Sequence, residues 1–184
     1  MKINSIETLH NAIASGEEIN YLYFWGHRHS GGKIRKTCFS QWYQAEFCLD
    51  NVTYLTAEHY MMAEKARLFK DQFSWERIIG VDNPGEAKKL GRKVKGFQED
   101  IWRNNRFAIV VRGNIAKFDQ NPLLKEFLLA TNDNVLVEAS PYDRIWGVGL
   151  GAKSPQILDP WQWKGLNLLG FALMEARSKL KENK

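Results

Sequence analysis

The stretch TAEHYMMAEKARLF, residues 56–69, constrains the chain more than any other, because it reads as a helix with a carboxylate on its apolar face. Thr56 is suited to the N-cap, where its hydroxyl accepts from a free N–H of the first turn. Met61, Met62, Ala66 and Phe69 recur at helical spacing and mark the face to be buried. Glu58 lies three and four residues before the two methionines, on that same face. A carboxylate there is costly unless it is paired or its setting serves chemistry. The alternative is a first-turn acid that complements the helix dipole and points to solvent.

A chain of 184 residues can bury a sizeable core, and we expect a single compact domain, 1–184. Seven Trp in such a chain imply either a large aromatic core or a site that grips flat ligands. Charge is uneven. From Lys88 to Lys117 nine basic residues face only Glu99 and Asp100, a net of +7 in a chain whose total is +5. Such a segment is either a solvated basic face or a surface for phosphate-bearing partners. No apolar run approaches membrane-spanning length, and the first twenty residues lack the apolar core of a signal peptide. Cys38 and Cys48 have neither metal spacing nor a disulfide framework, and the four His form no zinc motif. The expectation is a cytoplasmic protein with no membrane partner, no metal and no cofactor.

Along the chain, residues 4–15 form a short amphipathic helix with Ile6, Leu9 and Ile13 on one stripe, expected at the periphery of a core domain at 21–180. YLYFW at 21–25 reads as a strand, and GHRHSGGKIRK at 26–36 as a loop. CFSQW and VTYL read as further strand pieces, with Asp50-Asn51 as the turn before the second. Helices are expected at 71–80, from Asn83-Pro84 to Gly91, at 98–118, from Asn121-Pro122 to about 131, and at 167–180. In the longest, Ile101, Trp102, Ala108, Ile109, Ile115 and Phe118 are the apolar positions, so periodicity makes Trp102 a core residue. Residues 135–138 form a short strand. The fold class is α+β, mainly α-helical, with a small antiparallel sheet.

Residues 140–165 hold three of the Trp and no regular period, and long loops of this kind are functional or disordered. Aromatic content speaks against disorder. Within SPYDRIWGVGLG, Gly147, Gly149 and Gly151 permit sharp bends or close approach to a ligand. Trp146 beside them is either a stacking wall for a flat base or a core residue. Asp143 is either an acceptor for sugar hydroxyls or water, or the hinge of an Asx turn.

FSQWYQAEF, TAEHYMMAEKA, NPGEAKKLGRKV, Trp102 in the next helix, the WG and GxG at 146–149, and WKGLNLLGFALMEAR together resemble the NADAR family, which includes the YbiA-type N-glycosidases. The likeness runs from about residue 21 to 180. It implies a YbiA-like fold and hydrolysis of an N-glycosidic bond between ribose and a guanine-like base. The substrate is then ADP-ribose on guanine, in DNA or in nucleotides, or a phosphorylated ribosylaminopyrimidine intermediate of riboflavin synthesis. By motif position, Glu58, Trp102 and Asp143 match functional positions of the family, with Trp146 beside them. Val148 stands where YbiA-type members can carry an acid, a departure that bears on substrate class.

On this basis Glu58 stabilises positive charge on the sugar or activates water, and Asp143 holds a ribose hydroxyl or completes the water site. Trp102 and Trp146 clamp the base, and Gly147 and Gly149 give it access. Lys88 and Arg92 take phosphate, with Lys89 a further candidate. Lys65, two turns beyond Glu58 on a similar face, is an electrophilic aid or a snorkelling surface residue. The partner is a small ribosylated or ADP-ribosylated base, or ADP-ribosylated DNA. The alternative from another class is a nucleotide- or nucleic-acid-binding module without catalysis, for which Glu58 has no evident use.

Overall fold

A computed structural model of the chain describes residues 2–28 and 31–182. His29 and Ser30, in the middle of the loop expected at 26–36, lie outside the described residues. The described chain is mainly helical α+β, as expected, but its contacts divide it into two compact units: Met1–Ser40 with Glu126–Lys184, and Gln41–Lys125. No helix among the described residues is long and apolar enough to cross a membrane.

In the first unit, α1 (Ile6–Ala14) begins at Ser5, whose hydroxyl accepts from Thr8 N–H while the Thr8 hydroxyl accepts from Ser5 N–H in return. Leu9 and Ala12 are fully buried, Leu9 in an apolar cluster with Val135, Val137, Ala139, Val148, Leu150 and Ile157. The cluster forms around β1 (Tyr21–Phe24) and β4 (Val135–Glu138), which pair in register Tyr21↔Val135 to Phe24↔Glu138. Their pairing is parallel, so the antiparallel pairing expected from sequence is confined to the hairpin described below. Parallel neighbours require a long crossover, and residues 25–134 supply it. The closing helix α7 (Leu168–Glu182) packs against β4.

Asn167 joins α7 to the strand. Fully buried, with φ +52°, it accepts from Glu138 N–H through Oδ1 (3.0 Å) and donates from Nδ2 to Leu136 O (2.9 Å). Asn tolerates this left-handed backbone better than most residues.

The second unit begins with an antiparallel hairpin, β2 (Phe47–Leu49) and β3 (Val52–Tyr54). Asp50 and Asn51 both take positive φ, 52° and 62°, as a two-residue hairpin turn requires. CFSQW is not a strand: residues Lys36–Phe39 form a 3₁₀ turn with Cys38 and Phe39 buried. Four helices follow: α2 (Ala57–Leu68), α3 (Gln72–Ile79), α4 (Pro84–Gly91) and α5 (Glu99–Asp119). Asp71 and Asn83 cap α3 and α4 as their types predict. α6 (Pro122–Leu129) straddles the boundary of the two units in sequence.

α3, α4 and α5 all pack on α2. They come close because small residues face large ones. A methyl group at Gly91 would overlap the Met62 thioether, and one at Gly113 would overlap the Tyr60 ring. The Gln120 side chain, at the end of α5, donates to Cys48 O and accepts from Cys48 N–H, both at 2.8 Å, fixing that helix to β2.

The expected stripe of α5 is only partly the buried one. Ile101 and Ala108 are exposed, whereas Trp102, Arg106, Val110, Gly113, Asn114 and Lys117 are buried. Ala116 and the expected Phe118 are buried as well, and three of these eight buried positions are polar.

Replacing Asn167 by Gly keeps the backbone and removes both strand-edge hydrogen bonds; urea unfolding should lose on the order of 2–4 kcal/mol. The Ala variant should lose more, because it adds left-handed strain.

Candidate active site

Glu58 is 2% exposed, which excludes the solvent-facing alternative. Its position comes from the locked start of α2. Thr56 Oγ1 accepts from His59 N–H (3.4 Å) and lies 2.8 Å from His59 Nδ1. His59 Nε2 lies 3.0 Å from Val81 O, which can only accept. The buried imidazole is therefore the neutral Nε2–H tautomer, with Nδ1 taking the threonine proton. Burial holds the His59 pKa below its usual value, against the opposing influence of the Val81 carbonyl and Asp82. The first turn is also tied at Glu58 itself, whose N–H donates to Gln41 O (2.9 Å). Gln41 Oε1 in turn accepts from Asn114 Nδ2 (3.0 Å), which also donates to Val110 O (2.9 Å).

Two turns along the same face of α2 stands Lys65. Its ammonium lies 4.1 Å from the centre of the Phe97 ring and 5.5 Å from that of Trp102. It is half-buried rather than a free surface residue. Burial depresses its pKa; Glu99 opposes this and Arg92 adds to it. Trp102 is 8% exposed, so the core assignment from periodicity holds, yet its ring also faces a cation. Lys88 lies 5.8 Å from the Trp42 ring, and Arg92 is exposed at the end of α4.

The basic segment divides by role. Arg112 Nη2 donates to both Asp50 carboxylate oxygens (2.7 and 3.0 Å). Arg106 and Lys117 are buried, Arg106 with Glu99 at 3.9 Å. Lys88, Lys89, Arg92, Lys93 and Lys95 form the outward part of the segment, at the end of α4 and just beyond it.

The remaining predicted residues belong to the first unit. Asp143 Oδ1 accepts from Ile145 N–H (2.8 Å) and Trp146 N–H (2.7 Å), so the Asx turn is realised. Ser140 Oγ accepts from Asp143 N–H at 3.2 Å. Gly147 is required by close approach, since a Cβ would stand 2.9 Å from Glu138 O and 3.1 Å from Asp143 O. Gly149 has φ +68° and lies between the side chains of Arg144 and Lys164. Trp146 is half-buried on this rigid loop. Val148 is fully buried in the apolar cluster.

Within the second unit, then, Glu58, Lys65 and Trp102 share the α2–α5 region, with Arg92 close enough to act on Lys65 and Lys88 elsewhere on α4. Gln41, His59, Phe97, Arg106 and Asn114 were not singled out from sequence. The four-residue spacing of Trp102, Arg106, Val110 and Asn114 was the signal available for the last two. Among the described residues no group of three or more His, Cys, Asp or Glu converges as a metal-ligand set.

Because folding lowers the His59 pKa, its contribution to stability is complete above the unfolded value, about 6.5, and fades as pH falls. Wild type should therefore lose more melting temperature between pH 7 and 5.5 than His59→Gln, measured by circular dichroism. Asp143→Asn retains an Oδ1 acceptor and should melt within about 1 kcal/mol of wild type, whereas Asp143→Ala should cost about 1–2 kcal/mol in chemical denaturation.

Residues 23–181 match the model of the NADAR domain, a match that spans residues of both units. The chain is 39% identical over 168 residues to N-glycosidase R617 of Acanthamoeba polyphaga mimivirus, covering 89% of this chain and 98% of that one. It is 33% identical over 132 residues to the N-glycosidase YbiA of Escherichia coli, covering 72% and 74%. A third relative, the chloroplastic riboflavin biosynthesis protein PYRR of Zea mays, is 33% identical over 150 residues, which is 71% of this chain but 20% of that protein. The NMR structure of the Escherichia coli protein YbiA superposes with a TM-score of 0.70 at 29% identity, covering 89% of this chain and 86% of that one. By its sequence and by its fold, the chain belongs to the NADAR domain family.

Proposed function

We propose that this chain is an N-glycosidase that hydrolyses the bond between a ribose carbon and a base nitrogen. The observation that carries the reading is Glu58, a carboxylate buried at the locked start of α2, with Lys65 and Trp102 in the same α2–α5 region. The names of the relatives support the same reaction class.

Cleavage builds positive charge on the ribose ring, as in the oxocarbenium-like transition state of glycosidases. In this reading the Glu58 carboxylate stabilises that charge and accepts a proton from the attacking water. The C1′–N bond breaks, the water oxygen bonds to C1′, and the departing base nitrogen takes up a proton. Trp102 stacks the base. Lys65, Lys88 and Arg92 take the phosphorylated end.

The substrate proposed is a ribosylated base in the cytoplasm. It is either ADP-ribose on guanine, in DNA or nucleotides, or a ribosylaminopyrimidine phosphate. The second class is favoured by the riboflavin biosynthesis name of the maize relative. Both share a phosphorylated ribose and a guanine-like aminopyrimidinone.

A paired turnover assay tests this. Glu58→Gln should lower turnover of the accepted substrate on the order of 10²–10⁴-fold with unchanged melting. Full activity in a folded Glu58→Gln protein would remove Glu58 from the mechanism. Retained binding with no turnover of either substrate by wild type would favour the binding module.

A further inference from the structure

We propose that Phe97 is the positioning residue for Lys65, holding its ammonium by ring faces so that the charge stays available to an anionic group of the ligand. This rests on the assignment of Lys65 to the substrate site above.

Four observations carry it. The Phe97 ring is 40% exposed, so folding has not placed it for burial. It stands 4.1 Å from Lys65 Nζ, with the Trp102 ring at 5.5 Å, and packs edge-to-face with Phe69, centroids 5.3 Å apart. The segment that carries Phe97 is held in place from α3. Buried Asp71 accepts from Ser74 N–H through Oδ1 (3.1 Å) and from Lys95 N–H through Oδ2 (2.8 Å), and Gly96 then turns with φ +69°. Lys65 forms no ion pair within 4.0 Å among the described residues.

The last point decides between two ways of holding a lysine. A carboxylate in contact would fix the side chain but neutralise it. Aromatic faces attract an ammonium through their quadrupole and leave its full charge for another anion. Without such rings, a four-carbon stem has many rotamers and its charge is spread through solvent.

Other charges face Lys65 from the elements around it. Glu99 in the first turn of α5 favours the ammonium, and Arg92 at the end of α4 disfavours it. Glu99 is itself shared with Arg106 at 3.9 Å. Asp71 is engaged by its two N–H donors. Burial favours the neutral amine, whereas aromatic faces favour the ammonium.

The test uses the full chain with lysine labelled at Cε. The Lys65 resonance is identified by its loss in Lys65→Arg and followed by NMR titration. Phe97→Leu keeps an apolar cover but removes the quadrupole, so the Lys65 midpoint should fall by about half a pH unit. Phe97→Met should act likewise, and Phe97→Tyr should leave the midpoint where it is. The basic limb of kcat/KM on the ribosylated substrate should move down with the Leu variant by the same amount. A midpoint that is unmoved or raised in folded Phe97→Leu and Phe97→Met proteins overturns the proposal. A midpoint that falls while the basic limb stays in place upholds the grip of Phe97 but removes Lys65 from the reaction.

Discussion

Seven consecutive buried residues, Ala57–Ala63, leave the first two turns of α2 without a face toward water. A helix that ordinarily buries one stripe is here enclosed on every side. Neighbours must therefore approach from all directions, and glycines at Gly91 and Gly113 let Met62 and Tyr60 fit against α4 and α5. Polar side chains in those turns must find partners in protein rather than solvent. His59 does so with both ring nitrogens, and the Glu58 backbone does so through Gln41.

The basic run around α5 shows how little net charge says about surface. Four of its nine cations, Arg103, Arg106, Arg112 and Lys117, are buried or paired with a carboxylate. What is left for phosphate is concentrated at the end of α4 and in the loop beyond. Lys65, from a different helix, joins Arg92 there in electrostatic reach, although the sequence places it outside the run.

Much of this was legible where a local rule governs. Thr56, Asp71 and Asn83 cap helices because their side chains fit free N–H groups a few residues on, and Asp50-Asn51 makes the hairpin turn by tolerating positive φ. Asp143 follows the Asx-turn rule with one oxygen. What escaped depends on distant partners. The parallel pairing of β1 with β4 joins residues more than a hundred positions apart, and His59 needs a carbonyl 22 residues away. The α5 stripe was misread because Arg106, Asn114 and Lys117 are hydrophilic by type but buried by context, while Ile101 is apolar and exposed. In the candidate site, Glu58 was readable as an acid on a buried face. Phe97 was not, because its meaning lies in a loop folded back on α2.

Asn167 has a consequence for association. In β4, residues 136 and 138 turn their backbone groups away from β1, Leu136 O, Glu138 N–H and Glu138 O among them. The Asn167 amide occupies the first two and Val148 N–H the third. These are the positions a further strand would use. One side chain and one loop amide thus occupy three positions of that edge, which blocks a further strand from pairing with β4 there.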